Sequence, residues 1–207
     1  MHIVDGALSI PVVAGGAVLA AAGIGLGLKR LTIENIPATG VLSATFFVAS
    51  LIHVPLGPSS VHLIMNGLAG LVLGWAAFPA LFVGLLLQAV FFGFGGLLVL
   101  GVNTVNIALP AVMVHYLCRH GIGAASPNRA MLWGALGGAL AIAFTTAGVA
   151  VALALTGNEF VPAAKMVFFA HIPVMAIEAL LSGAAVLLAR RVKPELFGAL
   201  FQEKSHA

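Results

Sequence analysis

Apolar runs of about 20 residues, separated by proline, glycine and a few charged residues, fill almost the whole sequence. Hydrophobic residues make up 61% of the 207 residues and charged residues only 7%, whereas about a quarter of the residues of a soluble domain are charged. At about 20 residues per crossing, a chain of this length forms roughly six to eight transmembrane helices and leaves no room for a soluble domain. We therefore predict an all-α integral membrane protein with a single transmembrane domain over residues 1–207.

The apolar runs predict seven transmembrane helices. Their expected bounds are 10–28, 41–56, 61–74, 79–100, 103–118, 131–155 and 165–189. We expect a polar loop at 119–129, a second loop at 156–164 and a tail from residue 190 to residue 207.

Basic residues lie almost entirely on one side of this topology. Eight of the nine follow the first, fifth and seventh helices: Lys29, Arg30, Arg119, Arg129, Arg190, Arg191, Lys193 and Lys204. Because cytoplasmic loops are enriched in lysine and arginine, the bias predicts a multi-pass protein with its N-terminus outside and residues 190–207 as a cytoplasmic tail. Basic residues so distributed form no clustered face of the kind that binds nucleic acid.

The first two residues offer three nitrogen ligands in succession. The α-amine of Met1, the backbone nitrogen of His2 and the nearer ring nitrogen of His2 can bind one ion through two small chelate rings. Nitrogen ligands in a square plane suit Ni(II) or Cu(II) and can hold Co(II), whereas Mg(II), Ca(II) and Mn(II) prefer oxygen. Segment 1–9 is thus a candidate metal-chelating segment that needs a fourth nitrogen from elsewhere, and the alternative is an ordinary chain terminus.

The predicted topology places four of the seven histidines in one outer layer: His2, His53, His62 and His171. His62 is the candidate fourth ligand, because the turn before it can bring it towards the N-terminal segment. The alternative for His62 is a hydrogen bond between helices. For His53 and His171 we favour a supporting role, in which the ring bonds to a carbonyl or orients a ligand.

Four further polar residues are candidates for supporting the site. Asp5 is expected to pin the terminal loop, and Asn103 can support a ligand or cap the fifth helix. Glu178 is the only acid well inside a predicted helix, where a charge costs about 2.5–3.5 kcal/mol. It therefore needs a hydrogen-bond partner, a proton or a partner subunit, and Gln88 is one candidate partner.

Sequence motifs for catalysis and nucleotide binding are absent. The sequence contains no GxxxxGK[ST] loop, no Ser-His-Asp arrangement that spacing would suggest, and a single cysteine, which excludes a CxxC metal motif. We expect a transport protein rather than an enzyme, with any ATP hydrolysis on another chain. A self-sufficient secondary transporter or channel is the alternative, but it requires polar residues towards the cytoplasmic side, and the sequence offers few besides Glu178.

Several segments together resemble the CbiM/NikM substrate-capture subunits of energy-coupling-factor transporters for cobalt and nickel. They are Met-His-Ile-x-Asp-Gly-x-Leu-Ser at 1–9, the turn and histidine at 57–62 followed by 63–70, the glycine-rich region 87–103, and 171–178. The resemblance extends over nearly the whole chain. In this sequence Phe94 stands between glycines where many relatives carry a histidine.

The resemblance implies a fold, a ligand set and partners. The fold would be the six-helix bundle of a substrate-capture (S) component with one extra N-terminal helix, in the inner membrane. The metal, Co(II) or Ni(II), would be held by the Met1 amine, the His2 amide and ring nitrogens and the His62 ring, as transported ligand rather than cofactor. The partners would be a membrane coupling (T) subunit, a pair of cytoplasmic ATPases and often a small accessory membrane protein.

Overall fold

The computed structural model describes residues 2–51, 53–56, 59–124 and 126–197, with the backbone alone for 53–56, 59–61, 124 and 195. It is almost entirely helical, with one small β-hairpin. The elements are α1 Ile10–Lys29, α2 Ile36–Ala49, β1 His53–Leu56, β2 Ser59–His62, α3 Asn66–Leu73, α4 Ala77–Phe92, α5 Leu100–Ala124, α6 Pro127–Thr156, α7 Val161–Ala170 and α8 Ile172–Val192. Short 3-10 turns lie at Gly74–Ala76, Asn158–Phe160 and Pro194–Phe197.

Five stretches of the described chain are long and apolar enough to cross a bilayer. They are Ile10–Lys29, Asn66–Phe92, Leu100–Gly123, Pro127–Thr156 and Ile172–Val192. Large apolar side chains such as Val18 and Leu180 remain exposed on the outside of these helices, as a lipid environment allows. The prediction of a helical multi-pass membrane protein is confirmed at this level, while the count of seven crossings remains a prediction.

The stretch that contains α3 and α4 reverses direction instead of running straight through. α3 runs beside α5 in the same direction, with Gly70 directly against the backbone of Ala111. The reversal occurs at Gly74, whose φ of +55° is a conformation that residues with a Cβ rarely adopt. α4 then returns to the end where α5 begins, because Gly95, just after α4, lies against Asn103.

The two ends of the bundle differ in charge. The N-terminal segment, residues 2–9, lies at the end where α5 begins and α6 ends, and the backbone N–H of Ser9 donates to Thr156 Oγ1 at 3.3 Å. The opposite end, called the basic end below, carries Lys29, Arg30, Arg119, Arg129, Arg190 and Arg191. There the Arg190 guanidinium donates to the Ile122 carbonyl at 3.0 Å and ties α8 to α5.

The second and third predicted helices have wrong bounds, because a β-hairpin occupies the region between them. α2 ends at Ala49, and β1 pairs antiparallel with β2 so that His53 stands opposite His62. Proline lacks the N–H that a helix interior requires, so Pro55 ends any helical continuation and fits an edge strand. α3 begins only at Asn66, and the third predicted helix is therefore short.

Other predicted boundaries also differ from the structure, among them the end of the fourth helix, which lies at Phe92 rather than at residue 100. The expected loop 119–129 is mostly helical, since α5 continues to Ala124 and α6 begins at Pro127, a residue suited to the first helical turn. The expected helix 165–189 is broken at His171, and the second loop contains the start of α7. The tail begins later than residue 190, because α8 continues to Val192, and residues 198–207 lie outside the described part.

The buried core includes two apolar clusters, one of which positions the N-terminal segment. The larger one lies around α3, α4 and α5 and includes Phe46, Ile64, Leu81 and Ile107. The other lies directly under the segment and contains Ile3, Leu8, Val99, Val102 and Val149. Because Ile3 and Leu8 belong to the second cluster, burial of apolar surface holds the segment in the bundle.

Candidate metal centre

The N-terminal segment lies inside the bundle rather than in solvent. His2 is 2% exposed and Ile3 is completely buried. The Asn103 side chain bonds to both backbone groups of Ile3: the Ile3 N–H donates to Oδ1 at 2.9 Å, and Nδ2 donates to the Ile3 carbonyl at 2.9 Å. This pair of bonds replaces the partner that a neighbouring strand would supply, so Asn103 fixes the segment beside the first turn of α5.

Asp5 ties the same segment to the loop between α4 and α5. Its backbone N–H donates to the Gly95 carbonyl at 2.8 Å, and its Oδ1 accepts from the Val99 N–H at 3.1 Å. Gly95 and Gly96 have φ of +78° and +128°, which favours glycine. A Cβ on Gly96 would also overlap the Asp5 carboxylate. This loop can therefore approach the segment closely only because these positions lack side chains.

His2 and His62 face each other in this buried layer. Their ring centroids are 4.6 Å apart, the ring planes differ by 20°, and His62 is 3% exposed. The His62 Nδ1 is 2.8 Å from the Leu63 carbonyl; since a carbonyl only accepts, Nδ1 carries the proton and Nε2 keeps its lone pair. Burial, and further the charge of His2 nearby, lower the pKa of His62 well below 6.5. His62 is thus neutral at pH 7, the state that binds metal.

His171 lies in the same layer, at the break between α7 and α8. It is completely buried, and its Nδ1 donates to the Val167 carbonyl at 2.6 Å. Its Nε2 has no hydrogen-bond partner within the described residues. Burial lowers the pKa of His171 to about 4, and its charge would in turn lower the pKa of His62. The structure therefore places a further imidazole, neutral at pH 7, close to His62.

Glu178 and Gln88 do not pair with each other, and this suggestion from the sequence was wrong. Gln88 Nε2 donates to Ser50 Oγ and, at 3.3 Å, to the Phe47 carbonyl. Glu178 instead accepts two backbone N–H groups from the turn that follows His62. Gln88 thus fastens α2 to α4, whereas Glu178 acts close to the histidine pair.

Two predicted site residues lie partly or wholly outside the described structure. Met1 is not among the described residues, and for His53 only the backbone is described, paired with His62. Across the described ranges, no group of three or more histidine, cysteine or carboxylate side chains could hold a metal. An ion bound by His2 and His62 would therefore need further ligands from backbone or terminal atoms.

The aromatic neighbours of the pair were not predicted from the sequence. The Phe94 ring centroid lies 6.4 Å from that of His2, and Phe92 lies 5.5 Å from Phe94. The position of Phe94 between glycines was visible in the sequence, but its contact with His2 depends on how the N-terminal segment packs against this loop, which local patterns do not encode. These rings cover the His2 side of the site with apolar surface.

Long apolar helices that enclose a buried N-terminal segment, with the His2 and His62 rings stacked against each other, define a multi-pass membrane protein. The chain belongs to the CbiM family, described as the cobalt uptake substrate-specific transmembrane region, which matches residues 2–196. The family predicted from the sequence is thereby confirmed.

The relatives of the chain are metal transport proteins. Over 201 residues it is 43% identical to a putative metal transport protein of Haemophilus influenzae, covering 95% of this chain and 96% of that protein. It is 38% identical over 88 residues to the fused nickel transport protein NikMN of Rhodobacter capsulatus, covering 42% of this chain and 25% of that protein. A crystal structure of a transition metal transporter superimposes with a TM-score of 0.76 at 25% identity, covering 100% of both chains.

Proposed function

We propose that this chain captures Co(II) or Ni(II) from outside the cell and holds it in a square of four nitrogens. The ligands are the Met1 amine, the His2 backbone nitrogen, the His2 ring and the His62 ring. The observation that carries the proposal is the placement of two buried rings 4.6 Å apart. The His2 ring lies on a terminal segment fixed by Asn103 and Asp5, and the His62 ring lies at the end of β2.

The ring separation supports binding to neighbouring corners of one ion. Imidazole nitrogens bind such metals at about 2 Å, so two rings on adjacent corners have centroids roughly 4–5 Å apart. The low pKa of His62 supports the same conclusion, because no proton has to leave the ring at pH 7. Four nitrogens in a plane favour nickel, and also hold cobalt, over magnesium or calcium.

The remaining steps of transport require partner chains. We propose an ATP-driven importer of the energy-coupling-factor type, in which a membrane coupling subunit, two cytoplasmic ATPases and a small accessory membrane subunit act with this chain in the inner membrane. The absence of a nucleotide-binding motif from the sequence supports ATP hydrolysis elsewhere. The positions of Lys29, Arg190 and Arg191 support a cytoplasmic basic end, and the reversal at Gly74 supports seven crossings.

A self-sufficient channel or secondary transporter is less compatible with the core. Such a protein needs a polar path from the histidine pair to the basic end. The core towards that end is instead closed by Leu71, Cys118, Ile122 and Val186, all buried. Release of the ion through this region requires a rearrangement, which fits a protein driven by partners.

Metal binding by the purified chain tests the proposal. Adding two residues before Met1 converts the terminal amine into an amide and moves the charge away, and His62→Ala removes the fourth ligand. Both changes should abolish high-affinity Ni(II) and Co(II) binding measured by calorimetry. His120→Ala alters a histidine near the basic end and should bind like the parent. If the extended chain and His62→Ala also bind like the parent, the proposed site is wrong.

A further inference from the structure

We propose that Glu178 is a positioning residue for the metal site: its carboxylate holds the turn that carries His62 in the conformation that binds the ion. This inference rests on the proposed function. It assigns a role to the one acid within the long apolar helices, which the sequence left open.

The carboxylate connects α8 to the turn between β2 and α3. Glu178 Oε1 accepts the N–H of Ile64 at 2.5 Å and the N–H of Met65 at 2.8 Å. These are the second and third residues after His62, and Ile64 and Glu178 are both completely buried. Two consecutive backbone N–H groups therefore bond to one carboxyl oxygen, which holds the turn from one side.

The turn also has a strained backbone that needs such support. Met65 has φ of 56° and ψ of 17°, the left-handed conformation, and no other non-glycine residue in the described ranges has positive φ. Such conformations persist only when the surrounding structure fixes them. On the other side, Asn66 Nδ2 donates to the Ile107 carbonyl and to Thr145 Oγ1, each at 2.9 Å.

Residues 63–65 form no helix or strand, so their own backbone bonds do not fix the direction of the His62 ring. The His62 Nδ1 bonds to the carbonyl of Leu63, the first residue of this turn. A change in the turn would therefore alter the orientation of the imidazole as well as its position. Groups that orient a ligand in this way change metal affinity without binding the metal.

Three substitutions at one position separate the reach of the side chain from its carboxyl chemistry. Glu178→Ala removes both bonds, and Glu178→Asp keeps the carboxyl group but withdraws it by one methylene. Both should weaken Ni(II) binding about 10- to 100-fold, the range found for supporting residues of metal sites. Glu178→Gln keeps an oxygen at the original reach, and its affinity should lie between those of the parent and Glu178→Ala.

A matched control is available one helical turn further along α8. Ser182 is also completely buried, and its Oγ has no hydrogen-bond partner among the described residues. Ser182→Ala should therefore leave Ni(II) affinity unchanged. At saturating Ni(II), the absorption spectrum of Glu178→Ala should match that of the parent, because the ligands are the same; a changed spectrum would mean that Glu178 does more than position His62.

Amide hydrogen exchange without metal separates this inference from the proposed function. The Ile64 and Met65 amides should exchange faster in Glu178→Ala and Glu178→Asp than in the parent and in Ser182→Ala. Unchanged exchange, or faster exchange with unchanged Ni(II) affinity, would overturn the positioning role. A parent chain that binds no metal would instead overturn the proposed function, while the exchange rates would still show whether Glu178 holds the turn.

Discussion

Replacing Asn103 with alanine should release the N-terminal segment from the metal site. Asn103 makes two hydrogen bonds of 2.9 Å to Ile3, which follows directly after the proposed ligand His2. Alanine makes neither bond, so the buried N–H and carbonyl of Ile3 would both lose their partners. The segment can then stay in place at a cost in free energy or move into water.

The size of this effect follows from the two lost bonds. A buried backbone group without a partner costs about 1–3 kcal/mol, so losing both bonds destabilises the packed position of the N-terminal segment by about 2–6 kcal/mol. Since about 1.4 kcal/mol corresponds to a factor of ten in an equilibrium constant, Ni(II) affinity should fall at least about 30-fold. Asn103→Asp keeps the acceptor for the Ile3 N–H but loses the donor to its carbonyl, and should have an intermediate effect.

Calorimetric titration of the purified variants with Ni(II) measures this change. Asn106→Ala is the matched control, because Asn106 lies on the same helix and its Nδ2 has no partner in the described structure. That variant should bind within about threefold of the parent, a difference of well under 1 kcal/mol. Parent-like binding by Asn103→Ala would refute the conclusion that this side chain holds the segment in place for the metal.

Three further predictions concern the same site. Gly96→Ala should weaken Ni(II) binding about tenfold or more, because the added Cβ would overlap the Asp5 carboxylate. Gly93→Ala should weaken Ni(II) binding less, because its Cβ would meet nothing within 4 Å. Equal losses of affinity in the two variants would contradict this prediction. Ni(II) affinity should fall as the pH drops from about 8 to about 5, because the terminal amine, with an ordinary pKa of about 7.7–8.0, becomes protonated over this range. His62 contributes little to this pH dependence at pH values above its lowered pKa. A flat calorimetric pH profile would refute the amine as a ligand. His171→Ala should weaken binding about tenfold without changing the spectrum of the nickel-loaded protein, and an altered spectrum would make His171 a direct ligand.

Local sequence patterns predicted that long apolar helices fill the chain, and they placed the bounds of the first one well. The first helix, predicted at 10–28, is observed at Ile10–Lys29, since an apolar run bounded by a proline and two basic residues leaves little choice. The family was likewise recognisable, because its motifs lie in short segments such as 1–9. That segment also indicated His2 as a candidate ligand, because the chelate it predicts involves only neighbouring residues.

The interruptions of the helices were not predictable from hydropathy. A β-hairpin and a helical run can have equal mean apolarity, so the strand His53–Leu56 and the last two residues of the strand Ser59–His62 were assigned to helices. The break at His171 depends on packing between distant helices, whereas the predicted bounds 61–74 and 79–100 did indicate the reversal after Gly74. The hairpin and the break at His171 lie beside the histidine pair, where a site needs backbone shapes that a regular helix does not supply.

Contacts across the chain were the least predictable part of the site. Ile3 and Asn103 are separated by 100 positions, and Ile64 and Glu178 by 114. The sequence marked Asn103 and Glu178 as unusual in an apolar chain but could not identify their partners. Burial of a polar group shows that a partner is needed, while the fold alone determines which one is within reach.

X-ray absorption spectroscopy of the nickel-loaded protein tests the central claim most directly. The account predicts four nitrogen ligands in a square plane, and loss of that signature when two residues precede Met1. Six-coordinate nickel with mainly oxygen ligands, or a square-planar signature that survives the extension, would contradict it.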